Sequence, residues 1–249
     1  LLRGEPGTGK TGLAQAAAQA LQRPLLVWNL KSDAKANQGL YQYDGVRRLY
    51  DSQLLHAAVP GRPRPKDLTA YLHLGQLGQA FVSHEPVVLL IDGIDKADLD
   101  FPGDLLWELE RGQFQIAETG AVIQARHPPL VLLTSNGEKE LPATFLRRCL
   151  FYVIPFPEKD EMRAILSVHT GLDALPPERF DRALEVFYWI RSLTTLQKKP
   201  GTSELLDWLH ALALTGAEPD GLPYLGTLLK LEGDWAKVQQ YWKGRQNVH

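Results

Sequence analysis

Eleven residues at the start of the chain, Leu1-Leu-Arg-Gly-Glu-Pro-Gly-Thr-Gly-Lys-Thr11, leave few folds open. Gly4, Gly7, Gly9, Lys10 and Thr11 fit the spacing G-x-x-x-x-G-K-[ST]. Leu1 and Leu2 read as the end of a strand, and an Ala-rich helical pattern runs from Thr11 to Leu21. Strand, glycine turn and helix N-terminus in that order make a phosphate-binding loop. The segment Gly4, Glu5, Pro6, Gly7, Thr8, Gly9, Lys10, Thr11 and Gly12 is therefore expected to wrap a polyphosphate. Backbone N–H groups and the helix dipole supply the positive potential. Lys10 would reach the β- and γ-phosphates, and Thr11 would ligate Mg²⁺. A glycine-rich turn with an exposed lysine is the bland alternative, but both flanks agree with the sharper one. The expected ligand is a nucleoside triphosphate.

A second strong signal is Pro86-Val-Val-Leu-Leu-Ile-Asp92. Such an uninterrupted apolar run suits a strand of a parallel sheet buried on both faces. It ends on an acid, and ligands of such sheets bind at strand C-termini. Asp92 is thus placed to share a Mg²⁺ shell with Thr11.

Other elements follow from periodicity. Pro24–Leu30 and Leu130–Thr134 read as buried strands and Leu150–Ile154 as a final one. Tyr43, Val46, Leu49, Tyr50 and Leu54 recur at helical spacing, and Leu68–Val82 and the N-capped segment from Phe101 read as helices. Residues 60–65, Pro-Gly-Arg-Pro-Arg-Pro, predict a stiff loop. Gln113–Gln124, two short apolar runs around a Gly-containing turn, predict a hairpin. Asn136, at the end of the 130–134 strand, could orient water or a γ-phosphate, or only serve its turn. This alternation predicts a three-layer α/β domain with a parallel sheet over 1–157. Pro155-Phe-Pro157 then marks a linker. Beyond it, Glu158–His169, Pro177–Leu196, Ser203–Thr215 and Leu225–Trp242 predict a small all-α domain over 158–249.

Composition narrows the function classes. A formal charge of −2 over 249 residues argues against broad electrostatic binding to nucleic acid or an anionic membrane. The clusters Arg62, Arg64, Lys66 and Lys198, Lys199 read as solvated surface. One cysteine, Cys149, cannot form an internal disulfide and fits a reducing cytoplasm. No run is long and apolar enough for a membrane span. The loop at residue 4 leaves almost no room for its preceding strand, so the sequence reads as truncated at its N-terminus.

Four stretches together, Gly4–Thr11, Leu89–Asp98, Thr134-Ser-Asn136 and Leu146-Arg-Arg-Cys149, resemble the ordered motifs of AAA+ ATPases. The hairpin before the Asn-bearing strand points to the pre-sensor-1 hairpin group, with similarity to MoxR-type proteins. The resemblance implies a P-loop NTPase domain followed by a helical lid, binding Mg·ATP in a ring, a hexamer by this likeness, that remodels or loads a protein partner. It implies that Gly4–Thr11 is the Walker A loop, Asp92 the Mg²⁺-ligating acid and Asn136 the first sensor. Arg148, with Arg147 beside it as the alternative, matches an arginine that reaches a neighbouring subunit's ATP. The hairpin and the Tyr41–Arg48 segment would face the partner or a central pore, with Phe114 and Ile116 as candidate contacts.

One position departs from that pattern. The family's acid is followed by a glutamate that activates water, and here Gly93 stands there. Loss of a general base costs about 10²–10⁴ in rate, so binding should outlast hydrolysis. Asp95 is the nearest carboxylate that could compensate. Near the expected second sensor, Glu204 stands where an arginine is usual, with Lys198 and Lys199 nearby. Two rival readings remain at this point: a non-hydrolysing ATP-dependent switch or scaffold, and a DNA-dependent motor or loader.

Overall fold

The computed structural model describes residues 1–53, 67–168 and 175–246. In chain order the elements are β1 (Leu2–Arg3), α1 (Lys10–Ala20), β2 (Leu25–Asn29), α2 (Ala36–Leu40), β3 (Tyr41–Tyr43), α3 (Gly45–Gln53), β4 (Leu72–Leu74) and α4 (Gln76–Val82). There follow β5 (Val88–Asp92), α5 (Phe101–Arg111), β6 (Gln113–Gln115), β7 (Val122–Gln124), β8 (Leu130–Ser135), α6 (Ala143–Leu146) and β9 (Tyr152–Val153). The rest is helical: α7 (Lys159–Ser167), α8 (Pro177–Ser192), α9 (Thr202–Thr215), α10 (Leu225–Leu228) and α11 (Glu232–Gln246).

The chain forms two compact units. The first is Leu1–Gly4 with Gly9–Ile154, and the second is Glu5–Thr8 with Pro155 onward. In the first, a five-stranded sheet of order β2-β5-β8-β1-β9 is parallel throughout. Helices flank it, as the alternation predicts. β5 lies inside the sheet between β2 and β8, and Val88, Leu89, Leu90 and Ile91 are buried because both faces are covered. That burial is why its sequence is continuous rather than alternating. Around it pack Leu77, Phe81, Leu105, Leu133 and Phe145. On α1, Lys10, Ala14 and Ala18 are buried at four-residue intervals, and the small alanines let the helix lie close to the sheet.

Several expectations need correction. Leu68–Val82 is not one helix: a 3₁₀ turn at Leu68–Tyr71, then β4, precede α4. Tyr43 likewise belongs to a strand, since Tyr41, Gln42 and Tyr43 pair antiparallel with Leu74, His73 and Leu72. Three residues of alternation are too short to register against a helical period. The start of α5 lacks the expected side-chain cap. The loop at 60–65, the Arg62–Lys66 cluster and Leu54 lie outside the described residues, as does His169.

The second unit's core contains Met162, Leu166, Phe187, Ile190, Trp208, Leu212 and Val238, contributed by α7, α8, α9 and α11. Leu225–Trp242 is two helices rather than one. Leu229 is extended and its carbonyl accepts from Trp235 Nε1 at 2.7 Å. Asp234, buried at the start of α11, accepts from the backbone N–H groups of Gln197 (3.1 Å) and Lys198 (3.2 Å).

Candidate functional site

In the first unit the site begins where Gly9, in the left-handed region at φ +84°, turns the chain into α1. Leu13 N donates to Gly9 O at 2.9 Å, which starts the helix ladder. Lys10 is buried, and its Nζ donates to Gly4 O at 2.8 Å across the base of the loop. Thr11 Oγ1, one residue into α1, donates to Asp92 Oδ2 at 3.1 Å. The end of β5 and the N-terminus of α1 therefore present a hydroxyl and a carboxylate to one place.

Asp92 is held from a second side. Its Oδ1 accepts a short hydrogen bond from Thr134 Oγ1, and that hydroxyl accepts from Gly93 N at 2.8 Å. The register explains the meeting: Ile91 lies opposite Leu133, so Asp92 and Thr134 are next in line. Gly93 itself sits at φ +79°, a conformation that L side chains rarely adopt.

Asp95 is buried, and its Oδ2 accepts from Asn136 N (3.0 Å) and Glu138 N (2.9 Å). Lys139 Nζ returns the link by donating to Lys96 O and Ala97 O, each at 3.2 Å. Only Oδ2 of Asp95 is engaged: among the described residues its buried Oδ1 has no hydrogen-bond partner. The Asn136 side chain reaches Glu138 Oε1 at 3.4 Å. Arg148 and Arg147 are exposed, and Arg148 forms an ion pair with Glu110 of α5. Burial pushes the Cys149 thiol up, so it is no ready nucleophile.

In the second unit, Glu5 Oε2 accepts from Arg191 Nη2 at 2.7 Å. The buried Arg191 guanidinium also donates to Pro200 O and lies 3.3 Å from the Phe156 ring centroid. Gly7 stands against Thr202: a Cβ at Gly7 would meet Thr202 N at 3.2 Å. Glu204 accepts from Gly201 N at 3.1 Å, so its carboxylate serves the start of α9.

The family model for the AAA domain (dynein-related subfamily) matches residues 1–149. The chain belongs to that family. No curated protein matches it. As an AAA domain it has the α/β fold of a P-loop NTPase, and members of the family generally bind ATP with Mg²⁺ and oligomerise. Among the described residues of this AAA domain, no helix is long and apolar enough to cross a membrane.

The residues fit a Mg²⁺ ion. Thr11 Oγ1 and Asp92 Oδ2 are hard oxygen donors within 3.1 Å of each other. No group of three or more His, Cys, Asp or Glu among the described residues could hold a metal alone. Mg²⁺ is commonly bound by one or two protein oxygens and completes its shell with phosphate and water, which the Thr11 and Asp92 pair matches.

Two of the residues described above are not legible as such in the sequence. Thr134 was visible as a polar residue ending an apolar strand, but only the register makes it Asp92's neighbour. Arg191 gave no signal, because an arginine near a helix C-terminus ordinarily reads as surface.

Proposed function

We propose that this AAA domain is a Mg·ATP-binding module of the MoxR-type, pre-sensor-1 hairpin group. Its active form is a ring, a hexamer by that likeness, which remodels or loads a protein partner. Residues 1–157 act as the nucleotide-binding domain and 158–249 as its helical lid. The convergence of Thr11 Oγ1 and Asp92 Oδ2 at the end of β5 and the start of α1 carries this reading.

Gly4, Glu5, Pro6, Gly7, Thr8, Gly9, Lys10, Thr11 and Gly12 form the phosphate loop. Lys10 balances charge on the β- and γ-phosphates, and its present partner, Gly4 O, is exchanged for phosphate oxygen. Thr11 and Asp92 hold Mg²⁺, which when bound supplies Lewis-acid charge to the phosphoryl oxygens. Thr134 fixes the carboxylate of Asp92 for that task. Asn136 orients the γ-phosphate or water, its backbone anchored by Asp95. Arg148 leaves Glu110 to stabilise phosphoryl charge in a neighbouring subunit.

A second reading is favoured by Gly93. The residue after Asp92 carries no carboxylate, and its backbone sits in the left-handed region. An ATP-dependent switch that assembles but turns over slowly fits that position. A glutamate placed there costs about 1–2 kcal/mol of backbone strain.

Calorimetric titration with Mg·ATP, beside Lys10→Ala, tests the binding. Micromolar affinity that Lys10→Ala removes is expected; equal binding by both overturns the site. Steady-state turnover then separates motor from switch. A rate below about one per minute with intact binding supports the switch, and rates near 1 s⁻¹ support the motor.

A further inference from the structure

Lys96 folds back over Gly93. A Cβ on Gly93 would stand 2.9 Å from Lys96 Cε, 3.0 Å from Cδ and 3.2 Å from Nζ. The lysine's stem and ammonium thus occupy the space that a side chain at position 93 would take. The turn that brings them there is closed by Lys96 N donating to Gly93 O at 2.9 Å. It is braced by Lys139, whose ammonium binds the carbonyls of Lys96 and Ala97. The backbone of Lys96 is therefore fixed while its exposed side chain carries the ammonium beside Gly93, the residue that follows Asp92. Among the described residues that ammonium makes no hydrogen bond or ion pair. Asp92, immediately before Gly93, faces Thr11 and Thr134, and Asp95 faces the 136–138 backbone. Neither neighbouring carboxylate neutralises the lysine.

We propose that Lys96 is a second phosphate-reading cation of this site, one that contacts the terminal phosphate of a bound nucleoside triphosphate and so distinguishes ATP from ADP. The inference rests on the nucleotide-binding reading above and specifies which end of the nucleotide the strand β5 side recognises. Charge supports it. A nucleoside triphosphate carries more negative charge than one Mg²⁺ and Lys10 cancel, and Asp92 adds to the deficit. A lysine acts as a mobile point charge that suits a phosphate without fixed bidentate geometry. The missing side chain at position 93 is what leaves the lysine room.

The test is calorimetric titration of the chain and of Lys96→Ala, Lys96→Arg and Gly93→Ala with Mg·ATP and with Mg·ADP. Thermal unfolding of each checks that it is folded. The chain as it stands should prefer ATP, Lys96→Ala should lose about 10-fold in ATP affinity, and its ADP affinity should change less than about 2-fold. Lys96→Arg should keep the preference. Gly93→Ala, whose methyl displaces the lysine stem, should shift the ATP-to-ADP ratio in the same direction as Lys96→Ala. Equal ATP and ADP losses in Lys96→Ala, or none, overturn the inference while leaving nucleotide binding standing. A chain that binds neither nucleotide overturns both.

Discussion

Asn136 is tied to Asp95 through its backbone: its N–H donates to Asp95 Oδ2 at 3.0 Å, and the same oxygen accepts from Glu138 N. The two turns joined in this way follow β5 and β8, adjacent strands of the sheet. Whatever Asn136 does at the site, its position is set by a buried carboxylate 41 residues earlier. Asp95→Ala should therefore leave two amides without their acceptor and cost about 1–3 kcal/mol of stability. If Asn136 contacts the reacting phosphate as proposed, turnover should fall by more than ATP affinity does. Urea unfolding and ATP titration on the same preparation check both; an unaltered midpoint would show that solvent replaces the clasp.

Arg148 and Glu110 are both about half exposed, with side chains at 53% and 49%. A pair in that setting is worth about 0–1 kcal/mol. Glu110→Gln should leave stability within about 0.5 kcal/mol of the starting chain. If Arg148 works across a subunit boundary, losing its local competitor should raise ATP turnover at low protein concentration. Arg148→Ala should lower turnover by about 10³ while ATP still binds. A concentration series of ATPase rates decides it, and equal rates for all three proteins would retire the role.

Asp234 gives a pH dependence. Burial would raise its carboxyl, but hydrogen bonds from Gln197 N, the Lys237 ammonium and Lys198 N outweigh it and hold the group below the usual carboxylate range. A group depressed in the folded state contributes stability above its unfolded value near 3.8 and loses it as pH falls through the folded value. Asp234→Asn should thus destabilise the helical unit at pH 7 and flatten its acid unfolding below about pH 4. Circular dichroism melts between pH 2 and 7 would show it; parallel curves for both proteins would contradict it.

The hairpin β6–β7 divides its residues differently from the sequence expectation. Phe114 and Ile116 are buried at 3% and 7% exposure, and Phe114 packs against Tyr41 and Phe81. They are core residues, not partner contacts, whereas Val122 is 58% exposed. Phe114→Ala should cost about 3–5 kcal/mol. Val122→Ser should leave the melting temperature within about 2 °C and is the change to carry into any partner assay. A large loss of stability from the Val122 substitution would mean that the hairpin's outer face is not solvent.

The sequence disclosed what depends on local pattern. Gly4–Thr11 and the run ending at Asp92 are legible because a phosphate loop and a doubly buried strand each demand particular residues at fixed spacing. The parallel sheet follows from their alternation with helices. What stayed hidden depends on register and on long-range meeting. Thr134 becomes Asp92's partner only when β5 and β8 are aligned, and Asp95 becomes Asn136's anchor only when two turns meet. The ribbon of β3 and β4 is not legible because three residues on each strand carry too little periodicity. Gly93 reads in sequence as a missing carboxylate, with no sign there that Lys96 fills the space.

The outermost strand bears on how any assembly of this chain is measured. Leu150, Phe151, Tyr152 and Val153 stand 94%, 48%, 60% and 54% exposed, and among the described residues β9 pairs only with β1. Beside them opens a groove of about 910 Å³, lined largely by apolar residues of β1, β8 and α5. A bare apolar sheet rim gathers other strands by backbone pairing, indifferent to ligand. Sedimentation of the nucleotide-free chain is therefore expected to show its own baseline of self-association. Only the increment that Mg·ATP adds above that baseline speaks to a ring.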